Sequence, residues 1–202
     1  MDDSQSPLII AIASRPHPHF SINGDQSSVH WRDGACVVTV VDGLGHGPEA
    51  ADAASLAIES LAVGADLSPG EAITRCHDRL FRSRGAAMAV ARVDLGAGQL
   101  TFAGVGNVEA QFWNGTRVQR PIAQRGIVGA TLPSIREQVI ELNDAGWLLL
   151  MFSDGIHQRF DLELLPEFVA RDAQTLADRI LSDWSRETDD ATVLVLMPRV
   201  TQ

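Results

Sequence analysis

The sequence predicts an α+β fold, and three observations predict it. Runs of β-branched and apolar residues are separated by hairpin-type turns over much of the chain. Two helical patterns follow one another between Pro48 and Phe81, rather than alternating with single strands. Several of the most apolar runs start or end on an aspartate.

The first strand is the apolar run Leu8 to Ala13, which stops before Arg15, Pro16 and Pro18. His17 and His19 flank Pro18. Two histidines at that spacing can ligate a metal, but with no nitrogen or sulfur ligands close by they read as an exposed loop. Asn23-Gly24 signals a turn before Asp25, a strand runs through Val29 and Trp31, and Arg32-Asp33-Gly34 turns the chain back. Val37 to Val41 is continuously β-branched, as suits a strand buried on both faces. It ends on Asp42 and breaks into Gly43, Gly45 and Gly47. This hairpin can bring Asp25 and Asp42 to the same end of a sheet.

A helix beginning near Pro48 carries Ala50, Ala54, Leu56, Ala57, Ile58 and Leu61 on a broad apolar face. A second helix starts at Ser68 as N-cap, with Pro69 next and Glu71 three residues after the cap, and its stripe is Ile73, Cys76, Leu80 and Phe81. From Gly85 the pattern is β: Ala87 to Val93, Gln99 to Val105 and Glu109 to Trp113, followed by an Asn114-Gly115 hairpin and an alternating strand from Ile135 to Leu142. Trp147 to Phe152 is a second continuously apolar strand, ending on Ser153-Asp154-Gly155. Helices follow at Leu162 to Arg171 and Gln174 to Arg186. Thr188-Asp189-Asp190-Ala191 then leads into the apolar TVLVLM. An antiparallel strand beginning at Asp189 can lie beside one ending at Asp154.

The chain's 202 residues and 45% hydrophobic content suit one domain, residues 1–202. Its formal net charge is −10, and all 16 basic residues are arginine. That balance argues against nucleic acid or an anionic membrane as partner, and simple solubility explains most of it. The acidic N-terminus lacks a secretory pattern, and no apolar stretch reaches the ~20 residues of a membrane helix. The expectation is a soluble cytoplasmic protein with no sensor or membrane segment ahead of Leu8. Cys36 and Cys76 read as buried or semi-buried thiols rather than a disulfide.

Carboxylates gathered at one sheet edge repel one another and need cations to coexist. Hard oxygen ligands point to magnesium or manganese. Two such ions ~4 Å apart suit hydrolysis of a phosphoester, and no serine or cysteine nucleophile motif competes. Singly, each Asp-Gly or Asp-Asp is also an ordinary turn or cap. Spacing does not separate a phosphatase from another two-metal hydrolase, although the acidic charge and the absence of lysine disfavour a nuclease.

Asp42-Gly43-Leu44-Gly45-His46-Gly47, Ser153-Asp154-Gly155 and Asp189-Asp190-Ala191-Thr192, in that order, resemble the metal-dependent protein phosphatases of type 2C and, within them, the bacterial SpoIIE branch. The short chain and Gly104-Val105-Gly106-Asn107 are most similar to its small RsbX-like members. The resemblance implies an αββα sandwich of two mainly antiparallel sheets with helices outside. It implies two Mn2+ or Mg2+ ions, with Asp42 bridging both, the Gly43 carbonyl on one, Asp154 and Asp189 on the other, and Asp25 as the early acidic ligand. Catalysis would then run through Asp42 and Asp154 and a metal-activated water. His46 reads as a residue shaping the loop or meeting the partner. The resemblance also matches the two helices between Pro48 and Phe81 to elements that switch activity. Where the eukaryotic type has an acidic pair and a nearby phosphate-binding arginine, this chain has Asp25 alone, and Arg15 is not in the matching place. The implied substrate is a phosphorylated STAS-domain protein of the stressosome. The rivals are a phosphorylated anti-anti-sigma factor, or a non-catalytic binding module of the same fold.

Overall fold

A computed structural model describes residues 6–62, 67–142, 146–157 and 172–199. The expected helix from Leu162 to Arg171 lies outside them. The first hairpin is β2 (Asp25–Arg32) and β3 (Ala35–Gly43), closed by Asp33 and Gly34 at positive φ. Helices α1 (Pro48–Ala62) and α2 (Pro69–Arg79) come next. The β-rich stretch holds β4 (Ala86–Asp94), β5 (Gln99–Val105), β6 (Glu109–Trp113), β7 (Val118–Gln119), β8 (Gln138–Glu141) and β9 (Leu148–Phe152). Helix α3 (Ala173–Trp184) then leads to β10 (Ala191–Pro198), which returns to pair with β1 (Leu8–Arg15).

These strands form two antiparallel five-stranded sheets, ordered β1-β10-β9-β6-β7 and β2-β3-β4-β5-β8. Side chains from both inner faces, among them Val38, Val40, Phe102, Phe112, Leu149, Met151 and Leu194, make the core between them. Helix α3 covers the outer face of the first sheet through Leu176, Ala177 and Ile180. Helices α1 and α2 cover the second through Ala54, Ala57, Ile73 and Cys76. The result is the αββα sandwich the sequence implied. Both cysteines are buried and free. None of the described helices is long and apolar enough to cross a membrane.

Three local expectations change. The buried face of α1 consists of Ala50, Ala51, Ala53, Ala54, Ala57 and Ser60, whereas Leu56, Ile58 and Leu61 are only partly buried. Small residues are needed there because α1 lies almost on β3: a Cβ on Gly43 would stand 2.0 Å from the Ala50 carbonyl oxygen. Helix α2 opens with the expected capping box of Ser68 and Glu71, but it ends before Phe81, which is 69% exposed instead of completing the apolar stripe. Strand β8 is shorter than the Ile135 to Leu142 alternation. Glu137 leaves the ladder, and its Oε1 accepts a 2.7 Å hydrogen bond from the Gly70 amide in the first turn of α2.

Candidate active site

The two sheets bring their aspartates to one end of the sandwich. In the second sheet the hairpin register sets Asp25 directly opposite Asp42. In the first, Phe152 pairs with Val193, so Ser153-Asp154 leaves β9 just where Asp189-Asp190 enters β10. Glycine makes this approach possible, since a Cβ on Gly155 would lie 1.8 Å from the Asp190 carbonyl oxygen. Ser153 joins the sheets: its hydroxyl accepts from the Thr192 amide at 3.0 Å and donates to Asp25 Oδ2 at 2.6 Å.

Asp42, Asp154 and Asp189 line one cleft of about 210 Å³, together with Leu44, Gly45, His46, Ala87, Asn107 and Thr188. Asp25 lies behind Asp42 and is only 4% exposed. Asn107 donates to Asp154 Oδ2 at 2.5 Å and so orients that carboxylate. Asp190, 3% exposed, accepts at Oδ1 from the His17 amide (2.9 Å), while its buried Oδ2 has no hydrogen-bond partner among the described residues. A Cβ on Gly24 would stand 2.7 Å from that oxygen, so the second carboxylate of the Asp-Asp pair faces the residue beside Asp25.

Burial and the crowding of carboxylates raise the pKa of Asp42, Asp25 and Asp189. Burial, then the charges of Asp25, Asp154, Asp189 and Asp190, push Asp42 up to about 9. Burial also raises Asp25, to about 7, against the opposing hydrogen bond from Ser153. Asp189 rises through burial and the neighbouring Asp154. Among the described residues no three His, Cys, Asp or Glu side chains close into a coordination cage. The donor set nevertheless fits hard divalent cations: it is all oxygen and it repels itself, and beside it a buried oxygen of Asp190 has no partner among the described residues.

The His-Pro-His loop is exposed at Pro18 and His19 as expected, while His17 is half-buried and packs on the glycine loop. The His17 ring lies 5.0 Å from His46 and 5.3 Å from Phe20, and Phe20 lies 4.5 Å from His46. A Cβ on Gly47 would meet the Phe20 ring at 2.9 Å. Arg15 bonds the carbonyls of Asp189 and Pro16 (3.2 and 3.0 Å), the Ser185 hydroxyl (3.2 Å) and the Arg186 carbonyl, which commits it to holding the segment that carries Asp189. Sequence reasoning missed the roles of Ser153, Asn107 and Asp190. Their signal was membership in the motifs that carry the resemblance, which gave them no role of their own.

Residues 32–199 match the family described as stage II sporulation protein E. The chain belongs to the SpoIIE family. A structure from work on the bacterial stressosome, as a modular system adapted to control secondary messenger signalling, superposes at a TM-score of 0.88. It is 31% identical, over 95% of this chain and 100% of that one. RsbX in complex with magnesium superposes at 0.82, with 17% identity over 95% and 96% of the two chains. The phosphatase domain of SpoIIE from Bacillus subtilis, with a fragment of its regulatory domain, superposes at 0.74, with 20% identity over 95% and 63%. The last two likenesses, at low identity, speak to the fold. No curated protein is a significant match. In this SpoIIE-family chain the glycine loop, the Ser153-Asp154-Gly155 turn and the Asp189-Asp190 pair are drawn from both sheets to one cleft.

Proposed function

We propose that this protein is a Mn2+- or Mg2+-dependent protein serine/threonine phosphatase acting on phosphorylated STAS-domain proteins of a bacterial stressosome. The observation that carries the reading is the convergence of Asp42, Asp154 and Asp189 on one cleft, with Asp25 paired opposite Asp42. Asp42 would serve both ions, Asp25 and the Gly43 carbonyl one of them, and Asp154 and Asp189 the other. Bound there, the ions supply the positive charge that activates water and neutralises phosphoryl oxygens.

The chain's own part is positioning. Asn107 holds Asp154 and Ser153 holds Asp25, so the carboxylates stay fixed while the phosphorus–oxygen bond to the substrate side chain breaks. A cleft of about 210 Å³ admits a phosphorylated side chain and little more, which suits a phosphoprotein presented from outside. The stressosome assignment is supported by the 31% identical chain from stressosome work, and the choice of ion by the magnesium complex of RsbX. A binding module without activity is disfavoured by the retention of every candidate ligand around a self-repelling pocket.

The test is phosphate release from a panel of phosphorylated STAS proteins and anti-anti-sigma factors, with Mn2+, with Mg2+ and with chelator. Asp154→Asn is expected to lower kcat at least about a hundredfold, since even residues that only orient metal ligands cost 10–100-fold. Full activity in that variant would sink the metal assignment. Release from anti-anti-sigma factors alone would move the substrate to the rival class.

A further inference from the structure

Positive charge gathers where α2 gives way to β4. Arg75, Arg79, Arg82 and Arg84 stand within one short stretch of a chain whose net charge is −10, and the last three are exposed. Arg82 holds a φ of 74°, a conformation that L side chains seldom adopt. Its guanidinium carbon lies 5.6 Å from the centre of the Phe81 ring, and Phe81 is 69% exposed. No carboxylate among the described residues pairs with Arg79 or Arg82. The turn thus presents an apolar ring and uncompensated guanidinium groups to solvent.

The same turn adjoins the cleft. The Leu44 amide donates to the Gly85 carbonyl at 3.0 Å, and Leu44 lines the cleft. Arg84 pairs with Glu49 at the start of α1, and a Cβ on the cleft residue Gly45 would stand 2.8 Å from Arg84 Nη1. Between α1 and the turn runs a groove of about 430 Å³, with Glu49, Asp52 and Leu56 on one wall and Arg82, Ser83 and Arg84 on the other.

We propose that the turn at 79–84 is the docking surface for an acidic segment flanking the phosphorylated residue of the protein substrate. This rests on the phosphatase reading above. The cleft is too small to select a protein, so selection falls to the surface beside it. On a strongly acidic molecule, an acidic partner is drawn to the place where arginines are unpaired. Exposed Phe81 offers that partner an apolar contact as well.

Two synthetic phosphoserine peptides, one flanked by aspartates and one by lysines, test this beside p-nitrophenyl phosphate. The wild type is expected to prefer the aspartate peptide by about tenfold in kcat/KM. Arg82→Gly removes the guanidinium at a φ that glycine adopts freely, so the turn keeps its shape. Arg79→Glu alters charge elsewhere on the same surface. Both are expected to cut the preference to about twofold or less, and to lower the ratio of aspartate-peptide to p-nitrophenyl phosphate turnover about fivefold. A wild type without preference, or a preference intact in both variants, overturns the proposal. If the wild type hydrolyses none of the three, the phosphatase reading has failed, and docking is then read from fluorescence anisotropy of the labelled aspartate peptide. Binding weakened about tenfold by Arg82→Gly supports the surface, and equal binding overturns it.

Discussion

Ser153 shows how much one hydroxyl can hold at this site. Its donation to Asp25 spans 128 residues of sequence, and its acceptance from Thr192 fixes the other sheet. Ser153→Ala takes one hydrogen-bond donor from a buried carboxylate, and the metal-free protein is expected to lose about 1–3 kcal/mol at a pH where Asp25 is ionised. Urea unfolding of the variant beside the wild type measures this, and an unchanged midpoint would show that water replaces the hydroxyl. That Asp42, Asp154 and Asp189 share one cleft was foreseeable because each is a carboxylate near the end of an apolar run. The roles of Ser153 and Asp190 were not, because their partners are distant in sequence: Asp25 for the one, the His17 amide for the other.

At the scale of elements, the site depends on backbones that touch. Strands β9 and β10 bring the Asp190 carbonyl to where only a hydrogen fits on Gly155. Gly155→Ala is expected to force the Asp154 turn from the Asp189-Asp190 segment and to destabilise by about 1–3 kcal/mol, the usual cost of overpacking. Thermal unfolding reads the stability, and phosphate release from the preferred phosphoprotein should fall with it. A variant of wild-type melting temperature and activity would mean the turn can shift without disturbing the carboxylates. Element identities followed from periodicity and capping, as at Ser68 and Glu71. Periodicity misjudged Phe81, because the helix is ended by a turn in which Ser83 bonds the Leu80 carbonyl and Arg82 takes a positive φ, neither of which an apolar stripe marks. It also missed the packing of His17 and Phe20 against His46, a contact between loops.

Across the whole molecule, the sandwich concentrates negative charge at one end, and that makes stability depend on pH and metal. The unfolded chain releases the Asp42 proton near 3.8, whereas burial and four neighbouring carboxylates hold it in the folded state to about 9. Between those values the folded state binds more protons than the unfolded one, so stability falls as pH rises. Asp25 adds to the slope between 3.8 and about 7. The limit is about 1.4 kcal/mol per pH unit for each fully retained proton. Metal-free protein is therefore expected to unfold at lower denaturant at about pH 8 than at about pH 5. Mn2+ or Mg2+ is expected to stabilise it more at the higher pH, because bound cations remove the repulsion. Denaturation with chelator and with each ion checks both, and Asp42→Asn should flatten the metal-free profile. A flat profile in the wild type would contradict the crowding of these carboxylates.

The sequence by itself determined most of the strands and helices and the acidic ends of the apolar runs. Those properties are local: a β-branched run, a capping box or an aspartate before glycine acts within a few residues. The tertiary structure alone decided which sheet each strand joins, as when Leu8 pairs with Pro198. It also set Asp25 and Asp42 of one sheet against Asp154 and Asp189 of the other, and left the arginine turn at the rim of their cleft. Such arrangements depend on hydrogen bonds and packing between segments far apart in the chain. No window of sequence contains both partners.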